Sequence, residues 1–313
     1  MLNQIKRKLT LLCIFAHFLL FYSCSSVPEE FDPIRVGVLL SPNSLPMIIA
    51  DKEGFFKEHG IKAKIISYQN ADRKNIDFNQ NEMDVMITDL ASAIRMKEKG
   101  AHIKIISLVR GGLPRQGKVA IITGPNGIRS IDELSGKTLA IIPDSISEFV
   151  ADQLLDSMSV KNVHKTPITT YSEALQKLLN NELDAGVLVN PLVTFAEFQG
   201  CRVLADDSAE SLCFLVLVAN EEYVKNNFAI LKNFVNTYFK VVDLVNTKPS
   251  TYRHYILDLA RSPCADPESI RSYLLSMTRA PKRIKHTIPI PEFSPYTVPS
   301  EKQVALVNRW LKK

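Results

Sequence analysis

Cysteine is scarce in this chain, and nothing in its placement makes it a metal ligand. The five cysteines, Cys13, Cys24, Cys201, Cys213 and Cys264, match no zinc-site spacing. The six histidines are scattered, with no pair at metal-ligand separation, which argues against a histidine-based metal site. Also missing are a Gly-x-Ser-x-Gly turn, a phosphate-binding glycine loop and a Ser-His-Asp order, so common nucleophilic and nucleotide-dependent chemistries lose their sequence support. No cofactor is implied. Basic residues alternate with acidic ones despite a formal charge of +5, so there is no nucleic-acid footprint. Beyond the first residues, no apolar run is long enough to cross a bilayer.

What is present begins at the N-terminus. Lys6-Arg7-Lys8 precedes an apolar run from Leu9 to Tyr22, followed by Ser23-Cys24-Ser25-Ser26. A basic start, an apolar stretch of about 14 residues and a small residue before the break make a secretory signal. Cys24 directly after that small residue resembles a bacterial lipobox, in which cleavage precedes the cysteine and its thiol carries lipid. Phe21-Tyr22-Ser23 departs from the commonest form of that motif, so plain secretion and an uncleaved anchor remain open. The first 23 residues are then a signal and residues 24–33 a polar tether. Loss of the three basic residues leaves a mature charge of +2.

The remainder has a globular composition: 46% hydrophobic, with a mean hydropathy of zero. Its length predicts one or two domains. From residue 34 to 220 short apolar runs alternate with amphipathic stretches. Strands are expected at Ile34–Leu40, Ala63–Tyr68, Asp84–Thr88, Ile103–Val109, Val119–Thr123, Thr138–Ile142, His164–Ile168 and Ala185–Val189. This is an α/β rhythm of parallel strands with helices on both faces. A helix is expected over about 47–57, closed by Gly60. Thr170-x-x-Glu173 is a capping box, Pro191 suits a first helical turn, and Asn220 is an N-cap. Beyond 220 helices are expected at 228–246, 251–260, 267–277 and 300–312, with Pro281, Pro289, Pro291, Pro295 and Pro299 marking an irregular connection. Asn81-Glu82-Met83-Asp84-Val85 recurs as Asn181-Glu182-Leu183-Asp184-Ala185, each between a helix and a strand. Such an echo suggests two similar lobes, each with its own sheet. Cys201 and Cys213 open neighbouring apolar runs, as a disulfide pair or as buried thiols.

Several segments carry a family likeness. Ala50-Asp51-Lys52-Glu53-Gly54-Phe55-Phe56-Lys57-Glu58-His59-Gly60-Ile61 resembles the "A…GFF…GL" segment of sulfonate, nitrate, taurine and thiamine-precursor binding proteins. These are type II periplasmic binding proteins of ABC importers. Ile131-Asp132-Glu133-Leu134-Ser135-Gly136-Lys137-Thr138-Leu139-Ala140 resembles their "dLkGKkva", and the two Asn-Glu-x-Asp segments resemble "G-x-h-D". Asn81 and Asn181 stand where the family usually has Gly, at turns where Asn tolerates left-handed geometry.

The resemblance implies a two-lobed α/β fold, lobe 1 being 34–115 with 208–313 and lobe 2 being 116–207. Hinge crossings are expected near Pro114–Lys118 and Ala205–Ser211. It also implies a monomer that works with an ABC permease and its ATPase and binds a small-molecule solute by closure. Ligands in such sheets sit beyond the strand carboxyl ends, at helix N-termini. The expected ligand residues are therefore Ser41, Asn43, Tyr68, Thr88, Asp89, Arg110, Ser145, Ser147 and Asn190, each also a possible helix cap or core residue, with Phe149 and Phe195 placed to sandwich a flat ring. Asp89 suits an amino group and Arg110 an anion. The solute is expected to be heteroaromatic or amine-bearing, such as a thiamine-precursor pyrimidine, or else a sulfonate- or nitrate-like anion. An enzyme is not expected: same-fold thiamine-pyrimidine synthases use a Cys-rich segment that has no counterpart here. A non-transport surface lipoprotein is the other alternative.

Overall fold

The computed structural model describes residues 32–68, 71–112, 118–190, 192–212, 214–261 and 291–312. The signal, Cys24 and the tether up to residue 31 lie outside the described residues. So do Pro114, Pro191, Cys213, Cys264, the 267–277 helix, Pro281 and Pro289.

Among the described residues ten strands form: β1 (Ile34–Leu39), β2 (Ala63–Tyr68), β3 (Val85–Asp89), β4 (Ile103–Arg110), β5 (Val119–Thr123), β6 (Thr138–Ile141), β7 (His164–Pro167), β8 (Ala185–Val189), β9 (Arg202–Asp206) and β10 (Leu215–Asn220). The helices are α1 (Leu45–Lys52), α2 (Phe55–Glu58), α3 (Ala71–Asn79), α4 (Leu90–Glu98), α5 (Ile146–Ser157), α6 (Tyr171–Leu179), α7 (Leu192–Phe198), α8 (Glu221–Asn226), α9 (Phe228–Thr247), α10 (Pro249–Arg261) and α11 (Glu301–Leu311). None of the described helices is long and apolar enough to cross a membrane. The single helix expected over 47–57 is two. Gly54, at a φ of +79°, breaks it in a left-handed conformation that a side chain would oppose.

Two sheets of the same topology result, β2-β1-β3-β10-β4 and β7-β6-β8-β5-β9. The chain leaves the first sheet after Arg110, enters the second at Val119, leaves it after Asp206 and re-enters the first at Leu215. The parallel rhythm read from the sequence is incomplete. β10 runs antiparallel between β3 and β4, and β5 antiparallel between β8 and β9. Alternation of apolar runs does not encode strand direction, and burial on both faces makes the inserted strands read like their parallel neighbours.

The sequence echo has a structural cause. Asp84 accepts from the Arg35 backbone N–H at 2.8 Å and pairs with the Arg35 guanidinium at 2.7 Å, pinning the start of β1. Asp184 accepts from the Thr138 N–H at 2.9 Å and its hydroxyl at 2.8 Å, pinning the start of β6. Asn81 and Asn181, at φ of 60° and 58°, supply the left-handed turns that deliver both carboxylates.

One apolar cluster packs α1, α9 and α10 against the first sheet, and a third lies within the second sheet's helices. The second cluster runs on from α4 and β4 through Phe214 into β5 and α5. Helix α11 joins that seam. Its N-terminus carries a reciprocal capping box between Ser300 and Gln303. Trp310 stacks edge-on against Phe149 at 5.6 Å and donates to Asp152 at 2.9 Å. The irregular stretch before it lies along the first sheet: Ser294 N donates to Val109 O and Leu108 N to Thr297 O. Cys201 is a buried free thiol, its pKa raised by burial.

The two crossings are tied by Asp207, which is 2% exposed. Its carboxylate accepts the Val119 N–H at 2.7 Å, and its carbonyl takes Ser211 N, whose own carbonyl takes Gly112 N. Removing a buried charged acceptor leaves that donor unpaired. Asp207→Ala is therefore expected to cost about 1–3 kcal/mol in urea denaturation; an unchanged midpoint would show that the crossings do not depend on it.

Candidate functional site

Where the strand ends of both sheets converge, a cavity of about 240 Å³ opens. Leu39 closes β1, Ile87, Thr88 and Asp89 close β3, and Arg110 closes β4. Across from them stand Val119 at the start of β5 and Val189 and Asn190 at the end of β8. Ser41, Pro42, Asn43 and Ser44 come from the turn after β1, Lys74 from α3, Ile146 from α5, Tyr171 from α6 and Leu192 from α7. The walls are mostly apolar, with a few polar groups, as small-molecule sites tend to be. A larger groove of about 640 Å³ lies at the opposite edge of the first sheet, near Asn81, His102, Asn220 and Lys225, and only that half of the chain lines it.

Six of the eleven expected ligand residues meet in the cavity: Ser41, Asn43, Thr88, Asp89, Arg110 and Asn190. Their polar atoms are largely held in place. Asp89 caps α4, accepting Ser92 N at 2.8 Å through one oxygen and Ser92 Oγ at 2.7 Å through the other. Arg110 is buried and donates to the Asn43 side-chain oxygen. Asn190 Oδ1 lies 3.4 Å from the Thr194 hydroxyl.

The other five lie elsewhere. Tyr68 ends β2, but its hydroxyl donates to Asp77 at 3.1 Å, and burial together with that bond pushes its pKa up to about 12. Ser145 caps α5, accepting Glu148 N and donating to Ile142 O. Ser147 is fully buried, its hydroxyl 2.7 Å from that of Ser145 and accepting from Tyr171 at 3.0 Å. Phe149 is fully buried between Phe214 and Trp310. Phe195 packs on two apolar clusters. Being one turn inside a helix near the strand ends does not aim a side chain at the cavity; helical phase does, and here it points Phe149 into the core and leaves Phe195 half-buried between apolar clusters of the two sheets.

Sequence reading missed Lys74, Lys118 and Tyr171. Lys118 lies 3.6 Å from both Glu197 and Asp206. Lys74 is 1% exposed, and its ammonium donates to the Ile87 carbonyl at 2.7 Å. The only register pairs of β3 with β1 are Val36 with Val85 and Gly37 with Met86, so Ile87 lies beyond that ladder. The available signal was phase. In α3 the buried positions are Lys74, Asp77 and Phe78, while Ile76 is exposed.

The chain has clear relatives. A family model described as NMT1/THI5 like matches residues 41–251. A curated protein of Schizosaccharomyces pombe, named 4-amino-5-hydroxymethyl-2-methylpyrimidine phosphate synthase, is 18% identical over 69% of this chain and 66% of its own length. A Saccharomyces cerevisiae protein of the same name, THI11, is 20% identical over 69% of this chain and 67% of its own. The match thus spans about two thirds of each relative's length. Among solved structures, the periplasmic aliphatic sulphonate binding protein SsuA from Escherichia coli superposes with a TM-score of 0.69 at 17% identity, over 90% of this chain and 91% of that one. The alkanesulfonate-binding protein SsuA from Xanthomonas axonopodis pv. citri, bound to MOPS, gives 0.67 at 13%, over 91% and 92%. The fold is that of the periplasmic solute-binding proteins of ABC importers.

One expectation is overturned. The chain was read as outside the enzymes because it lacks a Cys-rich segment, yet its curated relatives carry the name of a synthase. That segment is one local feature, whereas the family model spans residues 41–251.

Asp89 has a measurable structural role apart from any ligand. Asp89→Ala removes the cap of α4 and is expected to lower stability by about 1 kcal/mol, while Asp89→Asn, which still caps, stays within about 0.5 kcal/mol of wild type. Equal losses in thermal or urea melts would show that the cap is not what Asp89 contributes.

Proposed function

We propose that this chain, which belongs to the NMT1/THI5-like family, captures a small organic solute between its two lobes and hands it to an ABC permease with its ATPase. The supporting observation is the cavity itself: strand ends from both sheets surround about 240 Å³ of space beside the two crossings. A solute there gains its full set of contacts only when both halves close on it, so binding favours the closed form. The moving bodies are 34–115 with 208–313, and 116–207. Cys24 carries a lipid that holds the protein at the outer face of a membrane, with the polar stretch after it as a tether, and the protein works as a monomer.

The solute is a heteroaromatic amine of the aminopyrimidine class. Apolar side chains such as Leu39, Val189 and Leu215 suit the faces of a ring, and Asp89, Thr88, Asn43 and Asn190 offer partners for polar edges. Asp89 keeps lone pairs beyond the two that Ser92 occupies, enough for one amino group. The curated relatives' name, a pyrimidine phosphate synthase, supports that class. A second reading, a sulfonate-like anion, is favoured by Arg110 and by the sulfonate-binding structures of the same fold.

Isothermal calorimetry with 4-amino-5-hydroxymethyl-2-methylpyrimidine, ethanesulfonate, nitrate and riboflavin separates these. The pyrimidine is expected to bind, and Asp89→Asn to weaken it about tenfold or more; tight binding of ethanesulfonate alone would end the aminopyrimidine reading. Cys24→Ser is expected to release the protein from the membrane fraction with solute binding intact. Retention in the membrane would mean that the N-terminal segment anchors it instead.

A further inference from the structure

Helix α3 turns its hydrophobic pattern inside out: Lys74 is buried and Ile76 is 48% exposed. Two buried polar residues on that face differ in how they are compensated. Asp77 takes the Tyr68 hydroxyl and pairs with Arg73 at 2.9 Å. Lys74 forms no salt bridge among the described residues. Its ammonium donates to Ile87 O at 2.7 Å and Asn75 Oδ1 at 3.2 Å, with Met86 Sδ at 3.6 Å. A buried cation held only by neutral acceptors is costly, and a Leu or Met would fill the space at lower cost. Yet this cation borders the cavity.

We propose that Lys74 is a specificity-determining residue of the cleft, whose positive charge retains an oxyanion substituent of the solute and discriminates it from an uncharged analogue. The inference rests on the cleft being the solute site.

The surrounding charges agree with it. From β3, Asp89 faces Lys74 as a carboxylate, both of whose oxygens already accept from Ser92. Across the cavity stand Arg110, which donates to Asn43, and Lys118, which faces Glu197 and Asp206. From β2, Tyr68 stays neutral, its pKa pushed up to about 12. On β1 the charged residue is Arg35, at the other end of the strand and paired with Asp84. Lys118 is offset by Glu197 and Asp206, each 3.6 Å away, so Lys74, which has no salt-bridge partner among the described residues, is the cation at the wall that an anionic group would compensate. Phosphate, sulfonate and carboxylate share the required chemistry, a compact set of acceptor oxygens with delocalised negative charge.

The state of Lys74 makes the claim measurable. Burial pulls the amine down to about 8, against the opposing pull of Asp89. At neutral pH it is charged. An anion bound beside it raises its pKa, so binding above pH 8 takes up a proton and affinity falls as pH rises.

The matched probes are 4-amino-5-hydroxymethyl-2-methylpyrimidine and its phosphate, titrated calorimetrically against the intact mature chain between pH 7.5 and 9.5 at constant ionic strength. Methanesulfonate, inorganic phosphate and acetate serve as separate arms to tell the anion classes apart. Wild-type affinity for the phosphorylated pyrimidine, or for whichever anion binds, is expected to fall about tenfold across that range, while the unphosphorylated compound stays within about twofold. Lys74→Met should weaken the anion about tenfold or more and flatten the profile, and Lys74→Arg should keep its affinity at pH 9.5. A flat wild-type profile, a measurement that needs no variant, would overturn the proposal, as would anion binding to a folded Lys74→Met that matches wild type. Failure of every probe, charged or not, would remove the cleft reading itself and this inference with it. Pyrimidine binding without any charge or pH preference would remove only the role of Lys74.

Discussion

One strand in each sheet runs against its neighbours, and the site depends on where those two strands begin. β10 starts at Leu215, beside the ends of β3 and β4; β5 starts at Val119, beside the ends of β8 and β9. Because each inserted strand is the first one laid down after a crossing, both crossings emerge at the carboxyl edge of the sheets. The crossings and the cavity thus share one edge. Asp207, buried between the crossings, touches backbone from both segments.

At that edge the polar groups are already held by protein partners. Asp89 is oriented by its own helix, Arg110 by Asn43 and Lys74 by the Ile87 carbonyl. Such fixed groups in apolar surroundings interact more strongly than they would in water, and little reorganisation is needed on binding. The seam behind the cavity is of the opposite kind. Trp310, Phe149 and Phe214 make an aromatic contact that ties α11 to α5.

Much was legible in the sequence because it depends on local chemistry. Asn81 and Asn181 mark left-handed turns, Thr170 and Asn220 accept the first N–H groups of their helices, and Asp84 and Asp184 recur because each sheet needs its central parallel strand pinned at the start. The six expected residues that meet in the cavity, from Ser41 to Asn190, lie at or just beyond strand ends, a position that apolar runs reveal. The failures share a cause as well. Phe149 and Phe195 are expected at the cavity from their distance along a helix, and Ser147 from its place after a strand end, but helical phase decides which way each side chain points. Lys74 went unnoticed because an ionic residue in a polar stretch reads as solvent-exposed.

The sequence by itself determined the alternation of strand and helix, the turns and caps, and the doubling of one motif, since each follows from the conformational preferences of a few adjacent residues. Only the tertiary structure decided the direction of β5 and β10, the meeting of two sets of strand ends in one cavity, and the burial of a cation at its wall. Those outcomes rest on register and packing between segments far apart in the chain. Lys74 meets the Ile87 carbonyl just past the β1–β3 register pairs, and no local pattern records that.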